Sequence, residues 1–536
     1  MKQKEALDIL KAGRNVYITG AAGSGKTYVL NDYINYLKER GVAVAVTAST
    51  GIAATHIGGV TIHSWSGIGI KDFLTEGDME RLEQKEYLWK RYDKSKVLII
   101  DEVSMLGPTM FDSIEHICRK MKRNDAPFGG MQVVLSGDFF QLPPIVRGGS
   151  DIRFIDSSET WQKMDVRVCY LKEQFRQKDD DLESILAEIR DGSVSLKSKK
   201  LLESRRDKDS KTKTKLYTHN VDVDSLNDKE LSKLKGKEYV FNMTGKGKKN
   251  LIENLKKGIL APEVLKLKKG ATVMFVKNGF DRGYVNGTLG KIKSFESGFP
   301  IVETFSGREI AVSEVDWTIE EDGKVLAEVR QLPIRLAWAI TVHKSQGMSL
   351  DAAEIDLSKA FTPGQGYVAL SRLRSLKGLN LKGINEMAFK IHNGVKELNK
   401  NLVSESLKWQ KVLERFTDRD MKDMHDDFIK KNGGTLSKKE IDKNKAKELQ
   451  KEIIENEPRI ATHEKTLMLV KNGLSLDDIA SERGMTLGTI ISHFEKLESI
   501  KSPDFKKYKL KYKPKNFKLI QVGFTPQNKE KKLAPA

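Results

Sequence analysis

Two cysteines, Cys118 and Cys169, stand far apart in 536 residues, too few for a disulfide framework or a zinc cluster. No apolar run approaches the ~18 residues that a membrane span requires. The N-terminus is amphipathic (Ala6, Leu7, Ile9, Leu10) rather than continuously apolar, which argues against a signal peptide. No internal repeat occurs at solenoid spacing. Acidic residues are in deficit: 93 Lys and Arg face 74 Asp and Glu, a net charge of +19. These absences predict a soluble protein that engages no membrane and works in the cytoplasm, associated with the nucleoid in a prokaryote. The charge favours a polyanionic partner, although a solvated lysine-rich surface accounts for it equally.

What is present reads first as alternation. Short β-branched runs alternate with helical periodicity in the first half, the pattern of a parallel sheet flanked by helices. Expected strands are Val16–Thr19, Val42–Thr47, Val97–Ile100 and Gln132–Leu135; a second series starts at Val168–Leu171 and Leu216–Thr218 and resumes at Ala337–Thr341. From Leu265 to Val329 the texture changes to short strands separated by Asn-Gly, Gly-Phe-Pro and Ser-Gly turns, which predicts a small β-barrel inserted in the second α/β unit. Residues 401–458, strongly charged and broken at Gly433-Gly434, predict a helical linker. Thr462, Ser475 and Thr486 are placed to cap three short helices, with Gly473 and Gly484 as stops, a helix-turn-helix over 459–499. In the basic tail over 500–536, eleven lysines face only Asp504 and Glu530, so 11 − 2 = +9.

The chemistry starts where the first strand ends. Gly20, Ala21, Ala22, Gly23, Ser24, Gly25, Lys26 and Thr27 form a phosphate-binding loop, whose glycines let backbone N–H groups converge on phosphate oxygens. Lys26 is expected to neutralise the β- and γ-phosphates of ATP, and the Thr27 hydroxyl to ligand Mg²⁺. Val97–Ile100 delivers Asp101 and Glu102 to the same crevice, Asp101 toward Mg²⁺ and Glu102 toward the attacking water. Gln141, on a proline-stiffened loop after Gln132–Leu135, is placed to sense the γ-phosphate. Arg176 and Arg372, in Gln174-Phe-Arg-Gln and Leu370-Ser-Arg-Leu-Arg, offer planar charged forks that could close over nucleotide held by the first unit. Taken singly they are ordinary surface or ion-pairing arginines.

At this point the motifs, in order over about 390 residues, resemble those of the Pif-type 5′→3′ DNA helicases of superfamily one, the RecD-like branch. The resemblance rests on Thr50-Gly-Ile-Ala-Ala, Thr61-Ile-His-Ser, Asp101-Glu-Val-Ser-Met-Leu and Gly137-Asp-Phe-Phe-Gln-Leu-Pro-Pro. It rests above all on Thr341-Val-His-Lys-Ser-Gln-Gly followed by Tyr367-Val-Ala-Leu-Ser-Arg. It implies two RecA-like motor domains, one over 1–165 with a small strand-separating subdomain at about 55–92, the other over 166–264 and 331–400 around an SH3-like barrel at 265–330. It also implies that Gln3 reads adenine and that Gln346 and Gly347 lie near the nucleotide. Thr50, Gly51, His63, Ser64, Thr341, His343, Lys344 and Ser345 are implied near DNA. Single-stranded and forked DNA are the partners so implied, with unwinding in replication, repair or recombination.

Residues beyond about 400 lie outside the resemblance. Their helix-turn-helix and lysines are expected to add DNA affinity or a protein contact, and a chain ending near 400 to keep its ATPase. Lys277, Asn278 and Arg282 are candidates for barrel contacts with DNA. A protein-remodelling ATPase such as a clamp loader explains the phosphate loop but not the His343–Gly347 segment. A sequence-specific regulator explains the helix-turn-helix but not the catalytic set.

Overall fold

Three largely apolar runs, buried at every residue, form the centre of the first sheet: β1 (Val16–Gly20), β4 (Val97–Asp101) and β5 (Gln132–Ser136). A parallel sheet covered on both faces demands such runs. The computed structural model describes residues 1–69, 74–144, 152–175, 179–206, 215–217, 223–277, 279, 282–284, 286–296, 298–305, 307–321, 324–342, 345, 348–456, 462–471 and 473–499. It divides into two compact units, Met1–Glu457 and Pro458–Ala536. With β2 (Val44–Ala48), β3 (Val60–Thr61) and β6 (Arg167–Leu171) the first sheet is parallel throughout, in the order β3-β2-β4-β5-β1-β6. β6 corrects the expectation that Val168–Leu171 opens the second series. It pairs with β1 along its whole length, from Val16↔Arg167 to Gly20↔Leu171.

The second parallel sheet joins β7 (Lys215–Tyr217), β18 (Ala339–Thr341), β19 (Ala353–Leu357) and β20 (Leu379–Ile384) in the order β18-β7-β19-β20. Between β7 and β18 lies antiparallel structure. β11 (Thr272–Phe275), β12 (Leu289–Glu296), β13 (Phe299–Thr304), β14 (Glu309–Ala311) and β17 (Ile334–Leu336) form one sheet, ordered β14-β13-β12-β11-β17. Its core includes Val273, Phe275, Tyr284, Ile292, Val302 and Ile310. β9 (Thr244–Gly247), β15 (Val315–Glu321) and β16 (Lys324–Gln331) form another, and β8 (Tyr239–Asn242) pairs with β10 (Val264–Leu267). The antiparallel texture thus begins before residue 265, because the lysine- and glycine-rich β9 is a strand only through its pairing with β16.

The charged segment after residue 400 is helical, but it is not a free linker. The helices Val395–Leu413, Asp418–Lys431 and Lys438–Asn456 wrap the first sheet's domain. Ser406 Oγ accepts from Tyr170 N at 2.9 Å, and Trp409 lies 3.9 Å beneath the Arg167 guanidinium. Phe428 packs where a side chain on Gly13 would stand, and Asn444 donates to Glu39 O at 3.1 Å. Leu402, Trp409, Leu413, Phe428 and Ile429 face the protein while Leu407 and Leu449 stand exposed among charged residues, so composition alone suggests a linker.

In the second unit the helices Thr462–Lys471, Leu476–Glu482 and Leu487–Ser499 close on Leu467, Val470, Ile479, Ile490 and Phe494. Ser475 and Asp478 form a capping box at the second helix. The tail from Ile500 onward lies outside the described residues. Among the described residues no helix is long and apolar enough to cross a membrane.

Candidate nucleotide and DNA site

β1 ends at Gly20, and the helix α2 (Lys26–Glu39) begins after Gly25, whose φ of 85° belongs to the left-handed region. That glycine also permits a close approach. A Cβ there would lie 2.0 Å from Gln3 Nε2, at the start of the helix α1 (Gln3–Lys11). Gln3 Nε2 donates to Ser24 O at 3.3 Å, so the residue implied to read adenine rests on the phosphate loop. The Lys26 ammonium donates to Gly20 O at 2.9 Å and Ala21 O at 3.1 Å. Ser24 Oγ is buried with no protein partner, a polar atom aimed into the turn of the loop. Phe175 N donates to Gly23 O at 3.0 Å while its ring is 59 % exposed. Sequence reasoning passed over this aromatic in favour of Arg176, which lies outside the described residues together with His343, Lys344, Gln346 and Gly347.

Asp101 closes β4, and Glu102 follows in a left-handed conformation with φ 54° and ψ 44°. Such backbone is costly for a residue with a Cβ and persists where its surroundings fix it. Here Ser49 does so: its N–H donates to Asp101 O at 3.0 Å and its hydroxyl to Glu102 O at 2.6 Å. Asp101 Oδ1 accepts from Glu102 N at 2.9 Å. Burial raises the Asp101 pKa, opposed by Ser136, the Glu102 N–H and Lys26. Burial, and then the Asp101 charge, push Glu102 up to about 7, against the pull of Lys26 and Arg372.

Arg372 acts on this carboxylate through its charge, from the domain of the other parallel sheet. It follows the helix Gln365–Leu370 and is buried, with Nε donating to Val368 O and Nη2 to Ser371 Oγ, both at 2.9 Å. Gln141 is buried on the loop after β5, its N–H on Asp138 O at 2.9 Å. Lys26, Asp101, Glu102 and Arg372 are thus brought together electrostatically from both α/β units. For a divalent cation the protein offers the Thr27 hydroxyl and the Asp101 carboxylate. No cluster of three His, Cys, Asp or Glu occurs among the described residues. Few protein oxygens, completed by phosphates and water, are what Mg²⁺ takes, so the residues fit it.

On the DNA side, Thr50 Oγ1 accepts from Ala53 N at 3.2 Å at the start of the helix α3 (Gly51–His56). Thr61 caps α4 (Ile62–Ser66) by accepting from Ser64 N, which leaves His63 and Ser64 half-buried on that helix. α3 packs against the helix Lys249–Gly258 that follows β9. Thr341 and Ser345 are fully buried, and the Ser345 hydroxyl donates to Val342 O at 2.7 Å. In this conformation both support the segment from within rather than offering their side chains to DNA. In the antiparallel region Lys277 donates to Asp316 O at 2.6 Å and Arg282 to Ser313 Oγ at 2.9 Å, so these cations serve that region's own structure; Asn278 lies outside the described residues.

Comparison with known proteins identifies the chain's relatives. Residues 2–200 match the family model described as PIF1-like helicase, residues 250–295 one described as DNA helicase Pif1, 2B domain, and residues 462–534 a helix-turn-helix domain. The ATP-dependent DNA helicase Pif1 of Psychrobacter sp. (strain PRwf-1) is 41% identical over 574 residues, covering 93% of this chain and 87% of that protein. The crystal structure of Bacteroides sp Pif1 in complex with ADP-AlF4 is similar with a TM-score of 0.66 at 32% identity, over 75% of this chain and 96% of that one. The Bacteroides Pif1 helicase in complex with ADP-AlF3 and ssDNA is similar with a TM-score of 0.54 at 32% identity, over 75% of this chain and 97% of that one.

Proposed function

The chain belongs to the PIF1-like helicase family, and from that membership together with the site we infer how its residues work as an ATP-dependent DNA helicase. The observation that carries the reading is the convergence on Glu102. A buried carboxylate with its pKa near 7 stands beside the phosphate-loop Lys26 and within the field of Arg372 from the second α/β unit. A group so tuned accepts a proton from attacking water at neutral pH. Lys26 neutralises phosphate charge, and Gln3 and Phe175 border the loop where the base would lie. Thr27 and Asp101 would hold Mg²⁺, which would supply charge neutralisation at the phosphates. Arg372, with Arg176, acts on charge that develops during transfer, so hydrolysis requires the two motor domains to close.

The motor surface for single-stranded DNA comprises Thr50, Gly51, His63 and Ser64 from the first domain, with His343 and Lys344 of the second on a segment that Thr341 and Ser345 hold from within. Alternation of grip between the domains, driven by closure and reopening, gives stepping. Travel is 5′→3′, on single-stranded and forked DNA, in the cytoplasm at the nucleoid of a prokaryotic host. The barrel at 265–330 is SH3-like and buttresses the DNA path. The test is ATP hydrolysis with and without single-stranded DNA. Stimulated turnover that disappears in Glu102→Gln supports the reading; turnover indifferent to DNA opposes it.

A further inference from the structure

One buried hydroxyl joins the phosphate loop to the helix that leads into Arg372. Tyr367 lies in the helix Gln365–Leu370 and is 1% exposed. Its oxygen accepts from the Ala22 N–H at 2.9 Å and from Arg190 Nη1 at 3.0 Å, and its proton is donated to Asp138 Oδ2 at 3.2 Å. A hydroxyl has one proton and two lone pairs, so the capacity of this one is fully used. Burial pushes its pKa up to about 12, which keeps it a donor.

Arg190, in the helix Asp180–Asp191, completes the cluster. Its Nη1 donates to both Asp138 oxygens at 2.9 and 2.7 Å and its Nη2 to the Tyr170 hydroxyl at 3.0 Å, with the guanidinium 3.9 Å over the Phe140 ring. Asp138 and Arg190 are both buried, and a buried pair satisfied on all sides is expensive to break from one side. Gly364, at φ 82°, starts the Tyr367 helix; a Cβ there would come within 2.7 Å of Gln141 O and 2.8 Å of Phe140 O. Only glycine lets the helix begin this close to the Gln141 loop. Four separately encoded parts therefore meet at one hydroxyl: the phosphate loop, the loop after β5, the Arg190 helix and the helix preceding Arg372.

We propose that Tyr367, held by Asp138 and Arg190, is a positioning residue that sets its helix against the phosphate loop and thereby aims Arg372 at the reacting phosphate. Turnover depends on it and nucleotide binding does not. The inference rests on the transition-state role given to Arg372 above.

Tyr367→Phe keeps the ring and deletes only the hydroxyl. In DNA-stimulated ATP hydrolysis by the full chain, kcat falls by about tenfold or more, while KM for ATP and the Kd of a fluorescent ADP analogue change by less than about threefold. In an Arg372→Ala background the same substitution lowers kcat by less than about twofold further, because its effect runs through Arg372. Arg190→Lys keeps the charge but not the fork, and gives the same loss confined to kcat. A parental kcat in Tyr367→Phe, a loss confined to KM in either variant, or an equal loss in both backgrounds overturns the proposal. If Arg372→Ala alone leaves kcat unchanged, the role given to Arg372 fails and the proposal with it, an outcome distinct from the others.

Discussion

The Gln410 amide donates to the Glu5 carboxylate at 3.2 Å, tying the helix Val395–Leu413 to α1, the helix that starts with Gln3. His425 reinforces the tie through Asp8 O at 3.0 Å, and Phe428 fills the space at Gly13 behind the same helix. The helix that carries Gln3 is therefore held in place by chain beyond the motor motifs.

Removing that wrap has a measurable consequence. A chain ending at residue 400 exposes the surface beneath Trp409, Phe428 and Ile429, and its Tm falls by about 5 °C or more relative to a chain ending at 457. Its KM for ATP rises, since α1 loses its backing. Differential scanning calorimetry and steady-state kinetics on the two truncations decide this. Equal Tm and KM would show that the helices merely trail from the motor, as their composition suggests.

Glu102 gives a pH signature. The base must be deprotonated, so kcat/KM falls as pH drops through about 7. Stability runs by linkage. The folded protein retains a proton at Glu102 that the unfolded chain has released between 4.5 and about 7, so this group's contribution to stability falls as pH rises through that window. Glu102→Gln is thus expected to lower turnover by about 10²-fold or more, to keep nucleotide binding, and to raise Tm at pH 8 with the gain vanishing toward pH 4.5. A pH–rate profile and melting curves of both proteins check the two halves; a Tm difference that does not change with pH would contradict the assignment.

Lys26→Ala removes the phosphate-loop ammonium and is expected to abolish hydrolysis. Arg372→Ala, and Arg176→Ala with it, lower kcat by about 10³-fold with a much smaller change in ATP affinity. Rapid-quench turnover set beside nucleotide titration separates these effects, and equal losses in both would make the arginines ground-state ligands.

The phosphate loop, Asp101-Glu102 and the central strands were legible because each is local: a strand, a turn and a charge adjacent in sequence. The placement of β6 was not, since an apolar run states that it is a strand but not which sheet it joins. Nor was the Tyr367 cluster, whose hydrogen bonds span 345 residues to Ala22 and 52 between Arg190 and Asp138, through residue types that look unremarkable singly. The sequence pattern at Thr341 and Ser345 announced a functional segment but not that both side chains would turn inward.

The C-terminal addition divides by charge. Residues 462–499 carry Lys465, Lys471, Arg483 and Lys496 against Glu464, Asp477, Asp478, Glu482, Glu495 and Glu498, so 4 − 6 = −2, whereas residues 501–536 carry +9. Phosphate contacts are therefore expected from the tail rather than from the helices. A chain ending at 500 should bind forked DNA more weakly, its log–log salt slope reduced by about 0.7–0.9 per lost contact. Fluorescence anisotropy across a salt series measures it; an unchanged slope would point to a protein partner for the tail.

The central claim, a motor driven by ATP along single-stranded DNA in the 5′→3′ direction, is tested most directly by strand displacement on two duplexes that differ only in which strand bears the single-stranded tail. The account predicts ATP-dependent unwinding of the 5′-tailed duplex, none of the 3′-tailed one, and none of either with Glu102→Gln. Unwinding from the 3′ tail alone, or unwinding that persists in Glu102→Gln, would contradict it.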